Sequence, residues 1–96
     1  MEDNITITGE YVLRLYITGA TPNSTKAIKN IKSICHQHLE GRYNLKIIDI
    51  YQQPELAKKD QVIALPLLVK LSPPPIKRLI GNLSDTEKVL KGLDLQ

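Results

Sequence analysis

The sequence predicts a single α/β domain, because its first half alternates a strand pattern, a helix pattern and a second strand pattern. The length of 96 residues suits one hydrophobic core, and 42% apolar residues are typical of a globular protein. The core is expected to be aliphatic, since the sequence contains no Phe or Trp. We therefore predict one domain over residues 1–96, with its core between positions 10 and 95.

The first half of the chain has the clearest pattern. Tyr11–Ile17 is rich in β-formers and largely apolar on both faces, as in a central strand. Thr21 and Pro22 suit the start of a helix, and apolar residues at steps of three and four continue it to Leu39. Leu45–Ile50 follows as a second strand. The intervening helix predicts that the two strands are parallel.

The second half begins with short segments. Pro54 suits the first turn of a short helix. An apolar, partly β-branched run over residues 62–71 predicts a strand interrupted by Pro66, and Ile76–Ile80 predicts a short one.

The end of the chain supports two interpretations. Ser84–Glu87 has the spacing of a capping box, which predicts a helix from Ser84 to about Gly92. Leu93 and Leu95 alternate with a polar residue as in a strand, and glycine weakens a helix. The helical interpretation gives the order β-α-β-α-β-β-α.

The turn before the first helix lies where thioredoxin-like proteins carry two reactive cysteines. Residues Thr21–Ser24 offer no thiol there, and a hydroxyl cannot replace a thiolate in disulfide exchange. Pro66 fits the position of the cis proline of that fold. The first half is therefore predicted to be thioredoxin-like without redox chemistry.

Composition disfavours several classes of function. The net charge of +3 comes without a dense basic stripe interleaved with aromatic residues, so we expect no nucleic-acid binding. No apolar run is long enough to span a bilayer, and a single cysteine favours the cytoplasm. Cys35 lies on the apolar stripe of the helix. Cys35 and His38 share a helix face, whereas His36 points in another direction. We predict no metal site and no cofactor.

Several segments together resemble the KaiB family of bacterial circadian-clock proteins. The most specific is the proline triplet followed by a basic pair and a glycine–leucine ending. The segments that carry the resemblance are Tyr11–Tyr16, Thr21–Ser24, Ile48–Ile50, Pro54–Ala57, Ser72–Ser84, Glu87–Leu90 and Gly92–Leu95.

The resemblance implies a regulatory protein without catalytic activity that binds the first ring of a KaiC-type ATPase. It also implies two arrangements of one sequence. One is a homo-oligomer, a tetramer or dimer, with the tetramer order β-α-β-β-α-α-β. The other is a thioredoxin-like monomer that binds the ATPase, and two such packings can differ by only a few kcal/mol.

The resemblance also assigns roles to individual residues. Basic positions implicated in partner contacts are Arg14, Lys26, Lys46, Lys77 and Arg78, and the positions assigned to the switch are Pro66, Gly92 and Asp94. Lys58 and Lys59 stand where the family usually has two acidic residues, so they are predicted to change partner choice more than fold. The alternative function is a thioredoxin-like adaptor or sensor in stress or two-component signalling.

Overall fold

The structure is a computed structural model that describes residues 10–59 and 65–95. Its element order, β-α-β-α-β-β-α, is the thioredoxin-like one of the two arrangements that the sequence predicts. The elements are β1 (Tyr11–Ile17), α1 (Pro22–His38), β2 (Tyr43–Asp49), α2 (Pro54–Lys59), β3 (Leu67–Ser72), β4 (Lys77–Ile80) and α3 (Thr86–Gly92).

The described strands form a four-stranded sheet in the order β2-β1-β3-β4. β1 and β2 are parallel, as predicted, because α1 carries the chain back between them. β3 is antiparallel to β1, and β4 is antiparallel to β3. β2 and β4 are therefore the edge strands of this sheet.

The two faces of the sheet bury different helices. Leu13 and Leu15 of β1 pack with apolar residues of α1 and α3 in one cluster, whereas Tyr16 and Ile48 form a second cluster with Leu56 of α2. The sheet therefore lies between α1 and α3 on one face and α2 on the other. We call these the α1/α3 face and the α2 face.

The predicted first helix is confirmed. Thr21 is its N-cap and accepts a hydrogen bond from the Ser24 N–H at 3.2 Å, and Pro22 occupies the first turn. Ala27, Ile31 and other apolar residues of the stripe are buried against the sheet. The helix ends one residue before the predicted Leu39, which is its C-cap.

The predicted start of the last helix at Ser84 is wrong by two residues. The Ser84 N–H donates to the Asn82 Oδ1 at 3.0 Å, so the chain turns there, and Asp85 is the N-cap that accepts from the Lys88 N–H at 3.2 Å. The helix ends at Gly92, as predicted. Residues 93 and 94 form a turn, and Leu95 belongs to no strand.

The predicted strand over 62–71 begins later than its apolar run. β3 starts at Leu67, directly after a cis peptide bond between Leu65 and Pro66. Positions 62–64 of that prediction lie outside the described residues. Among the helices that the structure describes, none is long and apolar enough to cross a membrane.

Candidate functional site

The turn before α1 is held by hydroxyl groups. The Thr21 hydroxyl donates to the Ser24 Oγ at 2.8 Å, and the same oxygen accepts from the Thr18 N–H at 3.2 Å. Ser24 is fully buried. Where thioredoxin-like enzymes place their thiols, this chain therefore has a hydrogen-bond network that supports the start of the helix.

Cys35 lies on α1, away from that turn, and is completely buried. Burial raises the pKa of its thiol to about 11, so the thiol stays protonated near neutral pH. His36 and His38 are exposed. The described part of the chain contains no group of three His, Cys, Asp or Glu side chains that could hold a metal ion.

Three predicted partner-binding residues form one row across the sheet. Lys46 of β2 pairs with Arg14 of β1, Arg14 pairs with Val69 of β3, and Val69 pairs with Arg78 of β4. Arg14 alternates with the residues that pack under α1, so it lies on the α2 face, as do its register partners. We call Lys46, Arg14 and Arg78 the basic row.

The remaining predicted contact residues lie elsewhere. Lys58 and Lys59 are exposed in the last turn of α2, the helix on the same face as the basic row. Lys26 is exposed on α1, on the opposite side of the sheet. Lys77 alternates with Arg78 and therefore lies on the α1/α3 face. The structure brings Arg14, Lys46 and Arg78 together but places Lys26 and Lys77 apart from them.

The predicted switch residue Asp94 pairs with a buried lysine. Lys70 of β3 is only 1% exposed, and its Nζ donates to the Asp94 Oδ2 at 2.9 Å. This hydrogen bond is the main reason why the pKa of Asp94 lies below its ordinary value. Asp94 reaches the lysine from a left-handed backbone conformation, with φ of 61°.

Tyr11 completes a cluster around this ion pair. Its hydroxyl donates to the Leu93 carbonyl oxygen at 3.0 Å, and the Lys70 Nζ lies 5.8 Å from the centre of its ring. Burial first, and then the negative charge of Asp94, raise the pKa of the Tyr11 phenol. The Lys70 cluster, made of Tyr11, Lys70, Leu93 and Asp94, thus ties the end of the chain to β1 and β3.

Sequence reasoning missed Lys70, although a signal for it was present. The segment Leu67–Leu71 is apolar except for this one residue. A single charge inside an apolar strand needs a partner of opposite charge, because an unpaired buried charge is strongly destabilising.

Gly92, the second predicted switch residue, faces β4. An alanine Cβ at this position would lie 2.5 Å from the Leu79 Cδ2. Gly92 therefore allows the end of α3 to approach the edge of the sheet closely. Pro66, the third predicted switch residue, is buried directly before β3.

Comparison with known proteins identifies the family. The KaiB domain model matches residues 14–95. The circadian clock oscillator protein KaiB of Gloeothece citriformis is 53% identical over 85 residues, which cover 88% of this chain and 80% of that protein. The Nostoc punctiforme protein of the same name is also 53% identical over 85 residues, covering 88% of this chain and 82% of its own length. The chain belongs to the KaiB family.

Solved structures show that this KaiB-family chain shares its fold with thioredoxins. The N-terminal domain of Synechococcus elongatus SasA aligns with a TM-score of 0.74 and 22% identity, covering 100% of this chain and 94% of that domain. Mitochondrial thioredoxin 3 of Saccharomyces cerevisiae aligns with a TM-score of 0.72 and 14% identity, covering 91% of this chain and 79% of its own. At these identities the likeness concerns the fold alone.

Proposed function

We propose that this KaiB-family chain is a cytoplasmic, non-catalytic regulator that binds a KaiC-type ATPase ring through the α2 face of its sheet. The relatives named as circadian clock oscillator proteins support a clock-type role. The buried thiol and the hydroxyl network at the start of α1 disfavour a redox role.

The basic row is the observation that carries the proposal. The register aligns Lys46, Arg14 and Arg78 across three strands of the α2 face. Lys58 and Lys59 extend the positive charge onto α2. Such a surface suits an acidic patch on the partner, since charge complementarity sets both the encounter rate and the choice of partner.

The proposal is tested by size-exclusion binding to a KaiC-type ring in the presence of ATP. The wild-type chain should form a complex. The variant Lys46→Glu/Arg78→Glu should bind at least about tenfold more weakly, because two attractions become repulsions. The matched control carries Lys32→Glu/Lys29→Glu on the exposed side of α1. It makes the same change in net charge and should bind within about twofold of wild type.

The outcomes separate the two functions considered. Equal losses of affinity in both variants would show that only the net charge matters and not the position of the basic row, which would contradict the proposal. Absence of any complex with the wild-type chain, together with recovery of a stress or two-component protein in a pull-down, would favour the adaptor alternative.

Lys58 and Lys59 are proposed to select among partners. The variant Lys58→Glu/Lys59→Glu restores the acidic character usual in the family at two exposed positions. The variant should bind the KaiC-type ring that partners a KaiB-family chain with the acidic pair better than wild type does. It should bind the ring that partners the wild-type chain more weakly. Unchanged preference in a competition assay would contradict this role.

We also propose that the chain changes arrangement between an oligomer and the monomer fold described above. The proposal predicts helical backbone chemical shifts for residues 86–92 in the ring complex and non-helical shifts in the free oligomer. Residues 22–38 of α1 serve as the internal control and should be helical in both states. Helical shifts for 86–92 in both states would contradict the change.

A further inference from the structure

β4 presents unpaired backbone groups at the edge of the described sheet. The Gly81 N–H donates to the Pro66 carbonyl oxygen at 2.9 Å, and β4 runs antiparallel to β3. In such a ladder alternate residues turn their backbone groups to the neighbouring strand, so Leu79 faces β3. The N–H and C=O groups of Arg78 and Ile80 consequently point outward from the edge.

Two large apolar side chains are exposed along this edge. Ile80, on the α2 face of β4, is 62% exposed, and Ile76, which directly precedes β4 and continues its alternation, is 59% exposed. The exposed Arg78 lies between them. Edge strands are commonly protected by charged or proline residues that prevent pairing with other chains. β4 follows the proline triplet and carries Lys77, but Lys77 lies on the α1/α3 face. On the α2 face the two exposed isoleucines and Arg78 form a pattern that an added strand could match.

A groove adjoins the same edge. It has a volume of about 370 Å³ and lies between β4 and the start of α3. Arg78, Ile80 and Lys88 are among its lining residues. The carboxylate of Asp85, which also lines it, is hydrogen-bonded to the N-terminal end of α3. With the two cations Arg78 and Lys88 against one carboxylate, the lining favours an acidic occupant.

A second copy of this chain fits the edge poorly. Antiparallel pairing that sets Ile76 opposite Ile80 of the copy also sets Arg78 opposite its own equivalent. Like charges directly opposite one another destabilise a strand pair, whereas opposite charges stabilise it. The charge at the centre of the strand thus opposes self-pairing and favours a different partner.

We propose that β4 binds, by strand addition, an extended segment of another protein that has an acidic residue between two apolar residues. The acidic residue lies opposite Arg78, and the apolar residues, two positions to either side, lie opposite Ile76 and Ile80. Main-chain hydrogen bonds to the outward groups of Arg78 and Ile80 supply affinity, and the alternate side chains supply specificity. This binding does not depend on the ATPase ring proposed above.

The test uses the full chain and a capped peptide of sequence Thr-Val-Thr-Glu-Thr-Val-Thr. In proton–nitrogen NMR spectra, the peptide should cause saturable shifts at residues 77–81 and slow the solvent exchange of the Arg78 and Ile80 amides. The same peptide with lysine in place of glutamate should bind about fivefold more weakly or worse.

Charge exchange identifies the contact. Arg78→Glu should reverse the preference between the two peptides, whereas Lys32→Glu on α1 should leave it unchanged. Absence of saturable shifts at β4, shifts confined to β2, or an unreversed preference would overturn the proposal. Concentration-dependent shifts at β4 without peptide would identify a second copy as the occupant and would also overturn it. Failure of the ring to bind leaves these outcomes unaffected.

Discussion

The two halves of the domain are stabilised in different ways. The first half combines a helix of 17 residues with two parallel strands of 7 residues each, and many aliphatic contacts hold it together. The second half uses shorter elements, strands of 6 and 4 residues and helices of 6 and 7, with non-glycine residues Leu83 and Asp94 at positive φ. Its apolar residues Val89, Leu90 and Leu93 join the same core, and individual contacts, such as Lys70 with Asp94 and Gly92 with Leu79, fix the position of its last helix. Single substitutions should therefore leave the arrangement of the first half unchanged, whereas they should be able to change the arrangement of the second half.

The largest expected effect is in the first half. Ile31 is completely buried between α1 and the sheet, so Ile31→Ala should lower the free energy of unfolding by about 2–5 kcal/mol. Ile28→Ala, at a half-buried position of the same helix, is the matched control and should cost less. Denaturant titration measures both, and equal losses would contradict the assignment of Ile31 to the centre of this core.

Sequence patterns predict the first half well because its signals are distributed over many residues. The periodicity of α1, its N-cap at Thr21 and the flanking strands all agree, so an error at one position changes little. The capping-box spacing predicts that α3 starts at Ser84, but the side chain that caps the helix is Asp85, while the Ser84 N–H bonds to Asn82. The spacing alone does not decide between two neighbouring capping residues. Lys70 and Asp94 are 24 residues apart, and local periodicity carries no information about such a pair.

The same difference applies to the candidate site. The resemblance supplies basic positions as a set, but only the strand register shows that Lys46, Arg14 and Arg78 share one row. Register depends on how distant strands pair, which the local pattern of one strand leaves open. The separation of Lys77 from Arg78 onto opposite faces, in contrast, follows from strand alternation alone.

The next effect concerns the contact between α3 and β4. Gly92→Ala gains helix propensity but forces the end of the flexible, half-buried Leu79 side chain to move, so its cost should lie toward the lower end of the about 1–3 kcal/mol typical of overpacking. In a Leu79→Ala background the obstacle is gone, so the same substitution should be more favourable by a similar amount. A double-mutant cycle in denaturant measures this coupling energy. Additive effects would show that Gly92 and Leu79 are not in contact.

A smaller effect is expected at the cap of the first helix. Thr21→Ala removes the acceptor for the Ser24 N–H and should lower the free energy of unfolding by about 1 kcal/mol. Thr25→Ala, at an exposed position inside α1, should be neutral or slightly stabilising, because alanine has the higher helix propensity. Thermal unfolding of both variants checks the prediction. An unchanged stability of Thr21→Ala would show that this cap does not stabilise the first half.

The smallest effect at neutral pH is expected from Asp94→Asn, because the Asp94 side chain is 47% exposed and the amide oxygen can still accept from Lys70. The informative variable is pH. The hydrogen bond from Lys70 holds the pKa of Asp94 below its ordinary value of 3.8, so the ionised carboxylate stabilises the fold above that value. This contribution is lost as the pH falls from about 3.8 through the lower pKa of the folded state.

The difference in free energy of unfolding between wild type and Asp94→Asn should therefore be constant near neutral pH and shrink below about pH 4. Glu87→Gln, on the exposed side of α3, is the control for general effects of acid. A difference that grows on acidification would reverse the sign of this linkage, and the Lys70 cluster would then not be what holds the second half in place.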